Sequence, residues 1–146
     1  MASLDELSRT VVACWNREDW DAYAGLAGPG FAYEEAASGR RVEDLDAVLA
    51  AWRRVREAFP DATADVVDVL VRGAVTVTGV VWRATHTGPV QTPAGLESPT
   101  YMKVHLADVI TTTWRDGRMV TERHNLGFPS VLAPVLVATG SAGCCC

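Results

Sequence analysis

The sequence predicts an α+β fold in which three helices come first and a group of consecutive strands follows. Up to residue 59, apolar residues recur at steps of three and four, which is the period of a helix with one buried face. From residue 62 onward the pattern changes to alternation, which is the period of a strand. Because helices precede strands instead of alternating with them, the pattern favours an α+β sheet over a parallel βαβ sheet.

The predicted helices have recognisable ends. Ser3 can cap the first helix, and Glu6 completes a capping box with it. Asp19 opens a short second helix, and Pro60 ends the third, which carries the clearest apolar face. The three helices are predicted over residues 4–17, 19–26 and 42–59.

The strands are delimited by turn residues. Asp116–Gly117 is a strong signal for a two-residue hairpin turn, and a loop rich in Gly and Pro covers 88–99. A short strand is expected at 31–34. The longer strands, in consecutive antiparallel order, are predicted over 62–72, 74–87, 100–114 and 118–126.

Length and cysteine placement predict one domain with a tail. The 146 residues can bury a single core, which we place in residues 1–138. Residues 139–146 end in Cys144–Cys146. Three adjacent thiols cannot enclose a zinc ion, so a metal site is not expected there, and we predict a disordered tail. Cys14 lies on the apolar face of the first helix and is expected to be buried.

Charge and motifs exclude several classes of function. The net charge is −5 and cations are not clustered, so nucleic acid is not an expected partner. No apolar run reaches the length of a membrane helix, and the acidic N-terminus does not resemble a signal peptide, which leaves the cytoplasm. The sequence shows no zinc-ligand spacing, no phosphate-binding glycine loop and no nucleophile elbow.

Three motifs carry a family resemblance: Phe59–Pro60–Asp61, the run from Trp82 to Pro89 containing Thr-His-Thr-Gly, and Arg115–Val120 around the hairpin. In this order and spacing the chain resembles the SnoaL-like polyketide cyclases of the NTF2-like superfamily over residues 4–136. The resemblance implies a cone, in which the helices pack on a curved, mainly antiparallel sheet that encloses a pocket. It also implies aldol closure, epoxide opening, isomerisation or dehydration without metal or cofactor.

The predicted hairpin divides the polar residues of the last two strands between two faces. If pairing runs one for one from Arg115 opposite Arg118, side chains alternate and opposed residues share a face. Either face could line the pocket. One face carries Asp108, Ile110, Trp114, Met119, Arg123 and Asn125, and the other carries His105, Glu122 and His124.

The resemblance nominates the second face as the pocket face. Relatives carry a carboxylate on the last strand at the position that His124 occupies here. His124 is then the expected general base, with Glu122 as its orienting carboxylate and His105 or Asn125 polarising the substrate carbonyl. The alternative is that Glu122 and His124 form a half-exposed pair near a strand end.

Other polar and aromatic residues are candidates for substrate binding. Tyr33, Trp82 and Tyr101 could line an aromatic pocket, in which a phenol can bind a ligand oxygen while its ring packs. Asn125 could donate a hydrogen bond. Asp108 could be a base with a raised pKa, although a structural salt bridge to Arg123 is favoured over that role.

The combined expectation is a cofactor-independent acid–base cyclase acting on a small, hydrophobic, carbonyl-bearing, polyketide-like intermediate. An epoxide-opening cyclase or hydrolase of the same fold is one alternative, although that chemistry usually needs a carboxylate–Arg–carboxylate set. A non-catalytic module that binds small molecules is another. In each case we expect a homodimer, for which the face with Ile110, Trp114 and Met119 is a candidate if it does not line the pocket.

Overall fold

The computed structural model describes residues 2–92 and 95–126, so the predicted end of the domain at 138 and the tail 139–146 lie outside the described residues. The chain has the predicted α+β class, with the helices ahead of the long strands. The helices are α1 (Leu4–Asn16), α2 (Trp20–Leu26) and α3 (Leu45–Ala58). The strands are β1 (Ala27–Glu35), β2 (Arg41–Val42), β3 (Thr63–Arg72), β4 (Val75–Thr85), β5 (Val90–Thr92), β6 (Gly95–Glu97), β7 (Lys103–Arg115) and β8 (Arg118–His124).

One six-stranded sheet has the order β2-β1-β8-β7-β4-β3. Its pairings are antiparallel except that β1 runs parallel to β8. This pairing places the early strand beside the last one, with Tyr33 opposite Glu122 and Glu35 opposite His124. The sequence indicated the short strand but not its partner. A small β5–β6 hairpin lies within the segment that was predicted to be a loop.

The helix starts follow the predicted chemistry. Ser3 and Glu6 form the reciprocal capping box, and Asp19 accepts a hydrogen bond from the backbone N–H of Ala22. The third helix begins later than predicted because Val42 pairs in β2 and Asp44 is the N-cap. The helices in the described part of the chain include no candidate for a membrane span.

Polar side chains join α1 and α3 to the edge strand β3. The amide of Asn16 makes two hydrogen bonds to the backbone of Ala64, at 2.8 and 2.9 Å, as a neighbouring strand would. Arg56 is buried, donates to the carbonyl oxygens of Asn16 and Ala62, and lies over the ring of Trp15. These contacts attach α1 and α3 to the start of β3.

The Phe-Pro-Asp and Thr-His-Thr-Gly motifs meet at the end of α3. The backbone N–H groups of Thr87 and Gly88 both donate to the carbonyl of Ala58. Asp61 accepts a hydrogen bond of 2.7 Å from the N–H of Thr85. Burial acts to raise the pKa of Asp61, but the hydrogen bonds from Thr85 outweigh it and lower that pKa. Both motifs therefore have a structural role, because their hydrogen bonds join the end of α3 to the end of β4.

A β-bulge changes the predicted faces of the β7–β8 hairpin. Asp116 and Gly117 form the expected turn with positive φ, and Trp114 faces Met119 as predicted. The next pair, however, is Thr113 with Thr121, so that Val120 is an extra residue on β8. Every later side chain of β8 is therefore on the opposite face from the one predicted.

Because of the bulge, residues that were predicted on opposite faces share the inner face of the sheet. Ile110, Trp114 and Met119 lie in the core, so they are not available as the candidate dimer face. Glu122 and His124 are buried on this same side, with Asp108. The outer side of the sheet instead exposes Val67, Leu70 and Val109.

Candidate active site

A small cavity lies between the helices and the inner face of the sheet. Its volume is about 20 Å³, measured as the space that the centre of a water molecule can occupy, and this is room for one water. Glu122 and His124 are the charged groups of its lining. The remaining wall is apolar or aromatic and consists of Val11, Val12, Trp15, Tyr23, Trp52, Trp82 and Ile110.

The imidazole of His124 is held on one side by Asp108. Its Nδ1 lies 3.1 Å from Oδ2 of Asp108, and both side chains are buried. The other oxygen, Oδ1, accepts hydrogen bonds from the backbone N–H groups of Val109 and Leu126. Burial alone would raise the pKa of Asp108, but the contact with His124 and these hydrogen bonds lower it. Asp108 is therefore ionised, and Nδ1 of His124 carries a proton directed at it.

The opposite ring nitrogen faces the second carboxylate and the cavity. Nε2 of His124 lies 3.6 Å from Oε2 of Glu122, close enough for an ion pair but too far for a hydrogen bond. Among the residues that the structure describes, this buried nitrogen has no hydrogen-bond partner. Burial lowers the pKa of His124, but Asp108 and Glu122 together raise it to about 9. At neutral pH the ring is an imidazolium with an N–H available to a ligand.

Glu122 is held in turn by a tyrosine from α2. The hydroxyl of Tyr23 donates a hydrogen bond of 2.5 Å to Oε2 of Glu122, and both residues are buried. Burial and the nearby charge of Glu122 raise the pKa of Tyr23 well above its ordinary value. Tyr23 therefore remains a neutral donor throughout the working pH range.

Aromatic rings pack against the imidazole. The ring centroids of Tyr33 and Trp52 lie 5.2 and 5.4 Å from that of His124. The hydroxyl of Tyr33 donates to Glu35 at 3.0 Å, and Ser38 donates to the other oxygen of the same carboxylate. Tyr33 thus presents its ring, rather than its hydroxyl, to His124.

The structure brings together several of the predicted site residues. His124, Glu122 and Trp82 line the cavity, and Tyr33 packs beside His124. Asp108 is also at the site, but the predicted salt bridge to Arg123 is wrong, because the bulge turns Arg123 outward and puts His124 beside Asp108. Asp108 makes the closer contact with the imidazole, at 3.1 Å, and Glu122 lies 3.6 Å from the opposite ring nitrogen.

Three predicted site residues lie elsewhere. His105 is exposed on the outer face of β7, so its predicted place beside Glu122 and His124 is wrong. Asn125 is exposed just after β8. The side chain of Tyr101 is 71 % exposed, and its backbone has φ of 58°. The bulge accounts for His105, because it moves Glu122 and His124 to the other face.

Tyr23 is the site residue that the sequence did not indicate. It occupies an apolar position of α2 and contacts Glu122, which is 99 residues further along the chain. The one available signal was a polar tip on the buried face of an amphipathic helix. In the described part of the chain, His, Cys, Asp and Glu side chains form no group of three that could hold a metal ion.

Comparisons with known proteins identify the fold. The family model described as SnoaL-like polyketide cyclase matches residues 5–127. No curated protein sequence matches the chain.

Three similar solved structures cover nearly the whole chain. AclR, a candidate hydroxylase from Streptomyces galilaeus, has a TM-score of 0.73 and 23 % identity, covering 92 % of this chain and 79 % of its own. IdmH, a candidate polyketide cyclase from Streptomyces antibioticus, has a TM-score of 0.72 and 22 % identity, and the match covers 88 % of this chain and 95 % of IdmH. An NTF2-like protein of unknown function from Burkholderia pseudomallei has a TM-score of 0.69 and 16 % identity, and the match covers 94 % of this chain and 97 % of that protein. The cone predicted from the resemblance is thus the fold of this chain.

Proposed function

Because the chain belongs to the SnoaL-like polyketide cyclase family, we propose that it is a cofactor-independent acid–base cyclase for a hydrophobic, polyketide-like intermediate in the cytoplasm. One observation carries the proposal. A buried imidazolium stands between two carboxylates at the polar end of an aromatic cavity, with its Nε2–H free of hydrogen bonds among the described residues. Such a group can donate a proton or a hydrogen bond only to something that enters the cavity.

The geometry supports an acid role for His124. With a pKa of about 9, His124 is protonated at neutral pH, so we assign it the role of a donor in place of the general base expected from the sequence. Asp108 fixes the ring and stabilises its positive charge. Glu122, on the cavity wall, is the carboxylate that can accept a proton from carbon.

In the proposed ring closure, Glu122 removes a proton from the carbon next to a ketone. The N–H at Nε2 of His124 hydrogen-bonds the ketone oxygen and stabilises the enolate that forms. The enolate carbon then attacks a second carbonyl of the same molecule, forming the new carbon–carbon bond. The resulting alkoxide takes up the proton that Glu122 had removed, so the product has the mass of the substrate, or one water less after dehydration.

The cavity walls favour a hydrophobic substrate. Trp15, Trp52 and Trp82 supply flat apolar surface, and a substrate larger than one water must push these side chains apart. Binding should therefore change the environment of the tryptophans, and an equilibrium fluorescence titration would report it even where no turnover follows.

The test is conversion of linear polyketide intermediates, followed by mass and chromatographic retention. We expect the wild-type protein to give a product of equal mass or one water lighter, His124→Gln to lose that activity, and His105→Gln on the outer face to retain it. Equal turnover by wild type and His124→Gln would overturn the proposal. Binding of an intermediate, seen by fluorescence, without any conversion would favour the non-catalytic binding module.

Epoxide opening is a second candidate, and a specific observation favours it. Asp108, His124 and Glu122 form a carboxylate–imidazolium–carboxylate set, comparable in charge to the carboxylate–Arg–carboxylate set that such chemistry uses. His124 would protonate the epoxide oxygen while Glu122 activates a water or a substrate hydroxyl. Reaction of an epoxide in ¹⁸O-labelled water distinguishes the outcomes, because hydrolysis incorporates one labelled oxygen and ring closure incorporates none.

We also propose that the protein acts as a homodimer. Val67, Leu70 and Val109 are exposed together on the outer face of the sheet, and a second copy would cover them. Sedimentation should give twice the chain mass of 15.7 kDa, and a Leu70→Lys, Val109→Lys variant should sediment as a monomer. A monomeric wild-type protein would rule this assembly out.

A further inference from the structure

One oxygen of Glu122 faces two groups at different distances. Oε2 accepts the hydroxyl of Tyr23 at 2.5 Å, and the same atom lies 3.6 Å from Nε2 of His124. We propose that Tyr23 is a positioning residue that holds Glu122 back from His124 and so keeps the Nε2–H available to a ligand oxygen. The purpose of this arrangement rests on the acid role proposed for His124, but the arrangement itself can be tested without a substrate.

The longer distance needs an explanation. An imidazolium and a carboxylate that can move freely in a buried site should approach to about 2.7–2.9 Å, because a charge-assisted hydrogen bond is much stronger there than a loose ion pair. Here Glu122 and His124 are both buried, yet the gap stays open. The short bond to Tyr23 is the contact that opposes its closure, since it directs Oε2 toward α2.

The tyrosine is well placed to act as a fixed anchor. Its side chain is buried, and α2 is capped by Asp19 at its start. The phenol also stays neutral, because burial and Glu122 raise its pKa well above the ordinary value. A donor that neither moves nor ionises gives Glu122 one defined position.

Several charged or titratable groups face His124, and they come from four elements. Asp108 of β7 and Glu122 of β8 flank the imidazole, and Tyr23 of α2 is bonded to Glu122. From β1, the ring of Tyr33 packs on His124, and the register puts Glu35 opposite it with its carboxylate bonded to Tyr33 and Ser38. Of these, Asp108 and Glu122 raise the pKa of His124. Loss of the Tyr23 hydroxyl should strengthen the attraction between Glu122 and His124, because the charge of Glu122 would no longer be shared with the phenol. The attraction between Asp108 and His124 should not change.

The experiment compares Tyr23→Phe with Tyr33→Phe, since both variants remove one buried hydroxyl that donates to a buried glutamate. The titration of the His124 imidazole is followed by nuclear magnetic resonance of labelled histidine. We expect Tyr23→Phe to raise the pKa of His124 by about 0.5 to 1 unit, which is roughly threefold to tenfold tighter proton binding. A new low-field N–H resonance at Nε2 should report the closed hydrogen bond. Tyr33→Phe should show neither change, because Glu35 keeps its hydrogen bond from Ser38.

A second variant keeps the shape of the side chain and tests the opposite direction. Tyr23→3-fluorotyrosine has a more acidic hydroxyl, which should donate more strongly to Glu122 and lower the pKa of His124. An unchanged or lowered pKa in Tyr23→Phe, an equal rise in Tyr33→Phe, or an unchanged or raised pKa in the fluorotyrosine variant would overturn the proposal. None of these readings involves turnover, so a failure here is separate from a failure to find cyclase activity.

Discussion

Asp108 and His124, 16 residues apart on neighbouring strands, meet through Oδ2 and Nδ1 at 3.1 Å inside the core. The pair explains why His124 can remain charged in an apolar setting. A buried imidazolium without a partner would lose its proton, whereas one beside an ionised and hydrogen-bonded carboxylate keeps it. The acid role proposed for His124 depends on this contact more than on any other.

Asp108→Asn should therefore inactivate the protein without unfolding it. The amide cannot stabilise the imidazolium, so the pKa of His124 should fall and turnover should drop by about 10² to 10⁴-fold. Asp68→Asn is the matched control, because Asp68 likewise accepts a hydrogen bond from the next backbone N–H but is exposed on β3. Turnover near the wild-type rate in Asp108→Asn would contradict the role assigned to Asp108.

The stability of the fold should decrease at alkaline pH through His124. Its pKa is about 9 in the folded protein and about 6.5 in an unfolded chain, so the folded state holds more protons between these values. The stabilisation is complete below about pH 6.5 and is lost as the pH rises through about 9, on the order of 3 kcal/mol in total. Urea unfolding at pH 6.5 and 9.5 measures it, and His124→Gln should show a smaller difference. An equal difference in that variant would exclude His124 as the source.

His86 should have the opposite effect on the pH dependence of stability, because its contribution is lost at acidic pH. It is buried, its Nδ1 accepts the backbone N–H of Thr100 at 3.0 Å, and burial lowers its pKa. The neutral ring is required in the fold, so its contribution to stability is complete above about pH 6.5 and is lost as the pH falls below that value. Urea unfolding between pH 7 and 5 should therefore fall more steeply for wild type than for His86→Gln. Exposed His105→Gln should match wild type, and equal slopes in all three proteins would contradict the prediction.

The contact of the Thr-His-Thr-Gly motif with the end of α3 should not tolerate a methyl group at Gly88. A Cβ on Gly88 would lie 1.7 Å from the carbonyl oxygen of Glu57, and backbone atoms cannot move aside cheaply. We expect Gly88→Ala to lower the free energy of unfolding by more than about 2 kcal/mol. Gly25→Ala in α2 is the control, because no described atom outside its chain neighbours and its own helix backbone would lie within 4 Å of the added Cβ. Alanine also favours the helix by about 0.5–1 kcal/mol. Thermal unfolding of both variants is the measurement, and similar midpoints would contradict the account.

Local chemistry was readable from the sequence, whereas pairing at a distance was not. The capping box at Ser3, the start of α2 at Asp19 and the turn at Asp116–Gly117 all depend on residues a few positions apart, and the structure has them as predicted. The parallel pairing of β1 with β8 joins segments nearly ninety residues apart, as in Tyr33 opposite Glu122, and leaves no periodic trace in either.

The bulge at Val120 shows how one residue can redirect a site prediction. Side chains on a strand alternate with a period of two, so a single extra residue moves all later ones to the other face. This is why His124 meets Asp108 and not His105. The residue type at 120 does not signal a bulge, because valine is equally favourable in a regular strand.

The pH dependence of kcat/KM, for the substrate that the conversion assay identifies, shows directly whether His124 begins the reaction as an acid. This quantity reports ionisations of the free protein. If His124 is the resting acid, kcat/KM should be high near neutral pH and fall tenfold per unit as the pH rises beyond about 9. A kcat/KM that instead rises through pH 9 would make His124 a base, and would contradict the account.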